Sequence, residues 1–244
     1  MTSGTLYGIG VGPGDPELVP LKAIRILGEV DLVFTAASTK NDYSMAEDIV
    51  RNHIPADTAI ERLEFPMSKA HDVMEAAWRQ HAQHIATRLL DGKSAAFLTL
   101  GDPLTYSTYG YILRYLKSEW PQIKIYTIPG ITSYQAAAAA VNQPLVEGEE
   151  SLVVMSGVHG GERLLEMAGK LENVVFMKAY RNVDGICHAL KQAGMAQGSV
   201  AVSNCSRKDQ TIYWNICDLE DQKPNYWTLV IAKRNGNDSQ KKNK

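Results

Sequence analysis

The sequence predicts an α/β protein of two domains, with a mostly parallel sheet in the first and a mixed sheet in the second. Short apolar runs alternate with helical periodicity from residue 5 to about residue 140, which is typical of a parallel sheet covered by helices. The composition then turns polar around residues 144–150. Beyond it, strand-like runs crowd together toward residue 233 without helices between them, and this favours antiparallel pairing.

The strands of the first domain are predicted from four short apolar runs bounded by turn residues: LYGIGV, DLVFTA, AAFLTL and IKIYTI. A long helix is predicted where apolar residues recur at helical spacing from Met74 to Leu89, and Asp91-Gly92 ends it. The alanine run Ala136 to Ala140 predicts a further helix, because alanine is the best helix former. The first domain is expected to span residues 1–143.

Residues 144–150 are interpreted as a linker, because Pro144 is followed there by an acidic cluster. The second domain is expected over residues 151–235, with strands predicted from SLVVMS, NVVFMKAY, SVAVSN, TIYWNI and YWTLVIAK. Residues 236–244 are interpreted as a flexible basic tail.

Composition restricts the classes of function. The formal net charge is −2, and the last twelve residues hold five basic side chains against one acid. The rest of the chain is therefore more acidic still, which argues against a nucleic-acid partner. Its three cysteines, Cys187, Cys205 and Cys217, form no CxxC pair, which favours a cytoplasmic location without a structural metal. No run approaches the roughly 20 apolar residues of a membrane span, so no membrane partner is expected.

The loop GVGPGDPEL, Gly10 to Leu18, looks like a phosphate-binding turn but lacks the required spacing. A dinucleotide fingerprint needs glycine at its first, third and sixth positions, and here the sixth is Pro13 or Asp15. The second predicted strand also ends in Thr, Ala and Ser instead of an acidic residue. A nucleotide-dependent oxidoreductase is therefore the less favoured alternative. Prolines remove amide donors, so the loop suits a neutral or cationic ligand better than an anion.

Two further loops shaped by glycine and proline follow predicted strands: LTLGDPLTYST and TIPGITSYQAAAA. In an open parallel sheet, the loops at the carboxyl ends of the strands form the ligand crevice. The sequence therefore predicts one site shared by these three loops.

The ordered set VGPGDPEL, LGDPLTYS, PGITS, VVFMKAYRN and VSNCSRKDQTIY resembles the tetrapyrrole (corrin and porphyrin) methyltransferases over about residues 5 to 233. The opening segment, EFPMSK and VEGEESL are most similar to members that methylate C20 of precorrin-2 or of cobalt-precorrin-2 (cobalt-factor II) in cobalamin biosynthesis. The resemblance implies the two-domain tetrapyrrole methylase fold, S-adenosyl-L-methionine as cofactor, a tetrapyrrole substrate and a homodimer. Another tetrapyrrole methylase, such as a uroporphyrinogen methyltransferase, is the alternative within the family.

The resemblance also implies cofactor-binding residues in both halves of the chain. From the loops between residues 13 and 133 these are Pro13, Gly101, Asp102, Thr105, Thr132 and Ser133. From the second half they are Lys178, Cys205, Trp227 and Thr228, which match positions where the family contacts adenosine mainly through backbone atoms. Cys205 stands where many relatives have glycine, a departure that a backbone contact tolerates.

Methyl transfer from a sulfonium is an in-line displacement, so the protein must align the reactants and exclude water. Methylation at C20 also requires loss of a proton, and Asp102 and Tyr106 are the candidate bases.

Two further sets of side chains are candidates for contacts with the substrate or with a metal ion. The candidates to bind the carboxylates of the substrate are Lys40, Lys69, Arg79 and Arg181. His81 and His84 lie three residues apart on the predicted long helix, but no third ligand accompanies them, and no metal is expected.

Overall fold

The computed structural model describes residues 3–38, 44–66, 68, 70–167 and 170–234. The chain divides into two compact units, Met1–Thr132 and Ser133–Lys244. The expected basic tail and the candidate residues Lys40 and Lys69 lie outside the described residues. Within the described ranges, no helix combines the length and the apolar character that crossing a membrane requires.

The first unit contains a five-stranded sheet in which every pair of neighbours is parallel, as the sequence predicts. The strand order is β3-β2-β4-β1-β5. The strands are β1 (Thr5–Gly10), β2 (Leu32–Ser38), β3 (Ala59–Phe65), β4 (Ala95–Thr99) and β5 (Lys124–Ile128). Their carboxyl ends therefore lie at one edge of the sheet.

Helices cover both faces of this sheet: α1 (Leu21–Leu27), α2 (Met45–Val50), α3 (His71–Leu90) and α4 (Tyr109–Glu119). Phe97 and Leu98 are consecutive in β4, and each lies in a different apolar cluster. Because successive side chains of a strand point to opposite faces, both faces of the sheet are buried. The long helix α3 ends at Leu90, just before the predicted stop at Asp91-Gly92.

Strand β3 is not among the predicted strands. Its sequence, AIERLEF, carries three charged residues in seven, because it is an edge strand with one face toward solvent. Glu61 of this strand pairs with His84 at 2.5 Å and with Arg88 at 2.7 Å, both on α3. Glu61 thus binds the strand to α3, whereas Arg62 of the same strand pairs with Glu47 of α2 at 3.3 Å.

The second unit contains a mixed sheet of order β6-β7-β10-β8-β9, which confirms the predicted sheet type. Its strands are β6 (Leu152–Ser156), β7 (Asn173–Met177), β8 (Ser199–Ser203), β9 (Thr211–Tyr213) and β10 (Thr228–Lys233). Only β6 and β7 pair in parallel, whereas β10 is antiparallel to both of its neighbours. Its helices are α5 (Ser133–Ala140), α6 (Glu162–Glu166) and α7 (Val183–Gln192).

The division between the units falls before α5, whereas the sequence places the end of the first domain at residue 143. Helix α5 belongs to the second unit because it contacts β10. The polar composition at residues 144–150 marks a loop that joins α5 to β6 within the second unit.

Candidate functional site

Three glycines from three loops meet at the carboxyl edge of the first sheet. Gly10 ends β1, Gly101 follows β4 and Gly130 follows β5. A Cβ on Gly130 would lie 2.2 Å from the carbonyl oxygen of Gly101, and a Cβ on Gly10 would lie 2.6 Å from the same atom. The backbones can approach this closely because Gly10 and Gly130 carry no side chain, whereas glycine is favoured at position 101 by its positive φ of 67°.

The first loop has its leading amides engaged within the protein. Val11 donates to the carbonyl of Thr99 at 3.0 Å, and Gly12 and Gly101 exchange two backbone hydrogen bonds of 3.3 and 2.7 Å. Pro13, which follows, is buried and has no amide hydrogen. A phosphate cradle needs free backbone N–H groups pointing at the ligand, so this geometry agrees with the argument from glycine spacing.

The carboxylate of Asp102 joins two of the loops. Its Oδ1 accepts hydrogen bonds from the Leu104 amide at 2.9 Å and from the Thr105 hydroxyl at 3.3 Å. Its Oδ2 accepts one from the Gly130 amide at 3.2 Å. Both oxygens therefore hold backbone in place, so the carboxylate fixes the loop after β4 against the loop after β5.

Tyr106, four residues beyond Asp102, has a left-handed backbone with φ of 51°. Its side chain is 50% exposed. Left-handed conformations of bulky residues are uncommon, and they cluster at functional sites. The structure thus places both candidate bases, together with Thr105, in one loop at the three-glycine edge. Thr132, by contrast, is 7% exposed.

The predicted adenosine contacts of the second half also gather at one sheet edge. Strands β7 and β8 end beside the start of β10, because β10 is antiparallel to both and pairs Thr228 with Ser203. Lys178 follows β7 directly, and Cys205 follows β8 after one intervening residue. This common edge is what a shared binding site in this unit requires.

Local hydrogen bonds fix the backbone at this second edge. The hydroxyls of Ser203 and Thr228 lie 2.6 Å apart, and the Asn204 amide donates to the Trp227 carbonyl at 3.3 Å. Lys178 has a left-handed backbone with φ of 58°. The Ser133 hydroxyl lies 3.9 Å from the sulfur of Met177, so the start of α5 reaches the same edge.

An aromatic group beside Lys178 was not anticipated from the sequence. Tyr180 and Tyr226 have ring centroids 4.6 Å apart, and Trp227 meets Tyr226 edge to face at 4.8 Å. Burial raises the pKa of Tyr226 above its usual value. The guanidinium of Arg181 donates to the Tyr180 hydroxyl at 2.9 Å and lies over that ring. No sequence spacing could show that these side chains meet, because the pairing of β10 with β7 creates the cluster.

Two other sets of candidates have structural partners. Arg79 pairs with Glu119 at 3.0 Å, so its charge is already matched within the first unit. His81 lies 2.8 Å from the carbonyl of Glu64 and His84 binds Glu61. The two histidines therefore hold β3 on α3, which accounts for them without a metal.

A parallel sheet with glycine loops at its carboxyl edge defines the first unit as an α/β protein of the class that binds a small ligand at that edge. Residues 5–220 match the family of Tetrapyrrole (Corrin/Porphyrin) Methylases. The chain belongs to this family.

The comparisons also identify individual relatives. The chain is 30% identical to the cobalt-precorrin-2 C(20)-methyltransferase of Salmonella typhimurium over 95% of this chain and 97% of that protein. Its fold is similar to that of a cobalamin biosynthetic enzyme, cobalt precorrin-4 methyltransferase, with a TM-score of 0.75, 21% identity and 96% of each chain covered. It is also similar to the uroporphyrin-III C-methyltransferase of Thermus thermophilus in complex with S-adenyl homocysteine. There the TM-score is 0.66 and the identity 21%, over 94% of this chain and 97% of that one.

Proposed function

We propose that this protein transfers a methyl group from S-adenosyl-L-methionine to C20 of precorrin-2 or of cobalt-precorrin-2 in cobalamin biosynthesis. The observation that carries the proposal is the contact among Gly10, Gly101 and Gly130. It gathers three motifs of the tetrapyrrole methylase family at one sheet edge, where ligands bind in such sheets. The likeness to a C20-methyltransferase of nearly the same length supports the choice of carbon.

The residues at the first edge fit the cofactor. A Cβ on Gly101 would meet only the Ile131 carbonyl, at 3.9 Å, so the space beside Gly101 is open. Carbonyl oxygens and the Asp102 carboxylate supply negative charge density, which suits a positively charged sulfonium. When bound, S-adenosyl-L-methionine supplies a methyl group activated for displacement.

The proposed binding residues come from both units. In the first unit they are Pro13, Gly101, Asp102, Thr105 and Thr132, and in the second they are Ser133, Lys178, Cys205, Trp227 and Thr228. The hydrogen bonds at the Thr228 and Trp227 positions hold the backbone in a fixed conformation. A fixed backbone supports recognition of adenosine through main-chain atoms, as proposed for this edge.

The chain's own contribution to the reaction is positioning and control of a proton. Oδ1 of Asp102 accepts a hydrogen bond from the Leu104 amide in its own loop, and Oδ2 accepts one from the Gly130 amide. Both contacts favour a positioning role for this carboxylate. Tyr106 follows in the same loop with its left-handed backbone and half-exposed side chain. We therefore assign to Tyr106 the assistance in removing the proton from C20. Arg181 is the proposed contact for a substrate carboxylate.

A location, an oligomeric state and a set of partners are also proposed. The protein is proposed to act in the cytoplasm as a homodimer, on a tetrapyrrole alone and without a nucleic-acid or membrane partner. The acidic composition of the chain before its last residues and free Cys187, Cys205 and Cys217 support this. Light scattering of the purified protein should give twice the mass of 26.9 kDa.

Calorimetric titration with S-adenosylhomocysteine, with NADH in parallel, tests the proposal. Micromolar binding of S-adenosylhomocysteine alone is expected. An anaerobic assay with precorrin-2, its cobalt complex and uroporphyrinogen III then identifies the substrate, with methylation at C20 located by NMR. Binding of NADH alone would instead support an oxidoreductase, and methylation of uroporphyrinogen III alone would support the other family activity.

A further inference from the structure

Two thiols and a carboxylate converge in the second unit, and none of the three residues is among those assigned to methyl transfer. Cys187 lies in α7, Cys217 lies in a short 3-10 helix at Ile216–Leu219, and Glu220 follows that helix. The two Sγ atoms and a carboxylate oxygen all lie within 4.8 Å of one another. Among the residues that the structure describes, no other His, Cys, Asp or Glu set of three brings its ligand atoms this close.

These separations suit a tetrahedral ion. With metal–sulfur bonds of about 2.3 Å and metal–oxygen bonds of about 2.0–2.2 Å, ligand atoms around zinc lie roughly 3.3–3.8 Å apart. The separations of up to 4.8 Å exceed that range by about 1 Å at most, so the proposed site requires the side chains to move together when the ion binds. Thiolates select borderline and soft ions, whereas a site of oxygen ligands alone selects magnesium or calcium.

We propose that Cys187, Cys217 and Glu220 bind one divalent transition-metal ion of the zinc type, with water as the fourth ligand. On binding, the two thiols release their protons to solvent, two metal–sulfur bonds and one metal–oxygen bond form, and no electron is transferred. The site is independent of the proposed methyl transfer.

Burial supports a site with a defined ligand set. Cys187 is completely buried in the apolar core of the second unit, and Cys217 packs against that core. The Glu220 side chain is 36% exposed, which leaves an entry path for the ion. The two elements that carry the ligands, α7 and the 3-10 helix, pack against each other, so their relative position is set by the fold.

The charges around the three ligands are compatible with a bound divalent ion. Lys191 donates to both oxygens of Glu220 at 2.8 Å. Two thiolates and a carboxylate around a divalent ion leave one negative charge, which the ammonium of Lys191 balances. Burial, followed by the neighbouring Cys217 and Glu220, raises the pKa of the Cys187 thiol.

Cobalt(II) is the probe of choice, because a tetrahedral site with thiolate ligands gives near-ultraviolet charge-transfer bands and visible d–d bands. The full-length protein is reduced, freed of metal by chelation and titrated with Co²⁺ under argon. One ion per chain should bind and release about two protons, and Zn²⁺ should then displace the cobalt bands. Thermal unfolding should shift upward in Zn²⁺, since the ion binds the folded state.

Variants assign the ligands. Cys217→Ser and Glu220→Gln should weaken Co²⁺ binding by at least about tenfold. Cys217 is only partly buried and Glu220 is 36% exposed, so conservative polar replacements at both positions should leave the fold intact. Asp218→Asn, a neighbouring carboxylate, and Cys205→Ala, the third thiol, are the matched controls and should bind Co²⁺ like the parent protein. Absence of charge-transfer bands, or bands that persist unchanged in Cys217→Ser, would overturn the proposal. So would loss of two thiols to mild oxidants in a protein that binds no cobalt, which would identify the pair as a disulfide.

Discussion

The carboxylate of Asp102 accepts a hydrogen bond from the backbone amide of Gly130, 28 residues away in the chain. This contact crosses from the loop after β4 to the loop after β5, whose parent strands are separated in the sheet by β1. Gly10 of β1 contacts both Gly101 and Gly130. The Asp102 carboxylate adds a direct hydrogen bond between the other two loops, so all three loops are joined.

Asp102→Ala removes the acceptor for three hydrogen bonds. We expect it to destabilise the protein by about 1–3 kcal/mol, because the Gly130 amide loses its partner. We also expect it to weaken S-adenosylhomocysteine binding at least about tenfold, since the loops that hold the ligand separate. Urea denaturation and calorimetry measure the two effects.

Asp31→Ala is the matched control for that variant. Asp31 accepts a hydrogen bond from the Ser94 amide at 2.8 Å, but at the beginning of β2 and β4, at the opposite sheet edge. It should lose stability with unchanged ligand affinity. Unchanged stability and binding in Asp102→Ala would exclude Asp102 from the site.

Gly130→Ala should prevent the three loops from closing. Its Cβ would lie 2.2 Å from the Gly101 carbonyl oxygen and 2.8 Å from the Gly10 backbone. Both neighbours are backbone atoms, so the clash can be relieved only by displacing the end of a strand. A loss of at least about 1–3 kcal/mol is expected, together with loss of S-adenosylhomocysteine binding. Gly110→Ala in α4, whose Cβ would meet nothing within 4 Å, should be neutral or slightly stabilising. Equal behaviour of the two variants would contradict the close-packing argument.

Cys205→Ala tests recognition of the cofactor through the backbone. Cys205 is 5% exposed, and burial raises the pKa of its thiol above the usual value. If the ligand contacts main-chain atoms at this position, removal of the sulfur should change S-adenosylhomocysteine affinity by less than about threefold. A fall of tenfold or more, with stability preserved, would instead indicate direct contact with the side chain.

Tyr109 makes stability fall at alkaline pH. Burial raises the pKa of its phenol above the usual value for tyrosine, and the hydrogen bond with Thr127 opposes this only in part. The unfolded chain therefore loses this proton at lower pH than the folded protein. The contribution to stability is present below pH 10 and is lost as the pH rises through the folded-state pKa. Urea denaturation from pH 8 to 11 should show this decline.

Tyr109→Phe should reduce that decline. At neutral pH it should cost only about 1 kcal/mol, the value of one hydrogen bond. Its stability should then depend less steeply on pH above 10 than that of the parent protein. Identical slopes for both proteins would show that another group causes the alkaline loss.

The apolar strands and the glycine loops could be predicted from the sequence, because each depends on a local pattern of residues. Strands β1, β2 and β4 are apolar because they lie inside a sheet with both faces covered, and the glycine loops after β1, β4 and β5 meet where parallel strands end. Strand β3 was not predicted because its three charged residues interrupt the apolar pattern. The folded chain gives two of them partners, since Glu61 binds α3 and Arg62 binds α2. The sequence predicts that the first domain ends at residue 143, whereas the division between the two compact units falls before α5. Helix α5 contacts β10, and this contact between distant parts of the chain is not visible in the sequence.

The proposed cofactor site and the proposed metal site differ in how much of each the sequence reveals. The candidate cofactor residues lie in contiguous motifs, so their resemblance to a family could be recognised in the sequence alone. Cys187 and Cys217 belong to no motif, and their approach depends on the packing of α7 against the 3-10 helix. A metal-binding group assembled in this way gives no signal in spacing.

The position of β10 sets the order in which the two units can fold during translation of the chain. All five strands of the first sheet lie within Met1–Thr132, so that unit can complete its sheet while the ribosome is still translating the second. The second sheet cannot do so, because β10, its last strand in the chain, separates β7 from β8. Until residue 233 has emerged, β6-β7 and β8-β9 are isolated pairs, and two-stranded sheets are only marginally stable. Folding of the second unit therefore requires the chain to have emerged as far as residue 233, whereas the first unit can fold once its own residues have emerged.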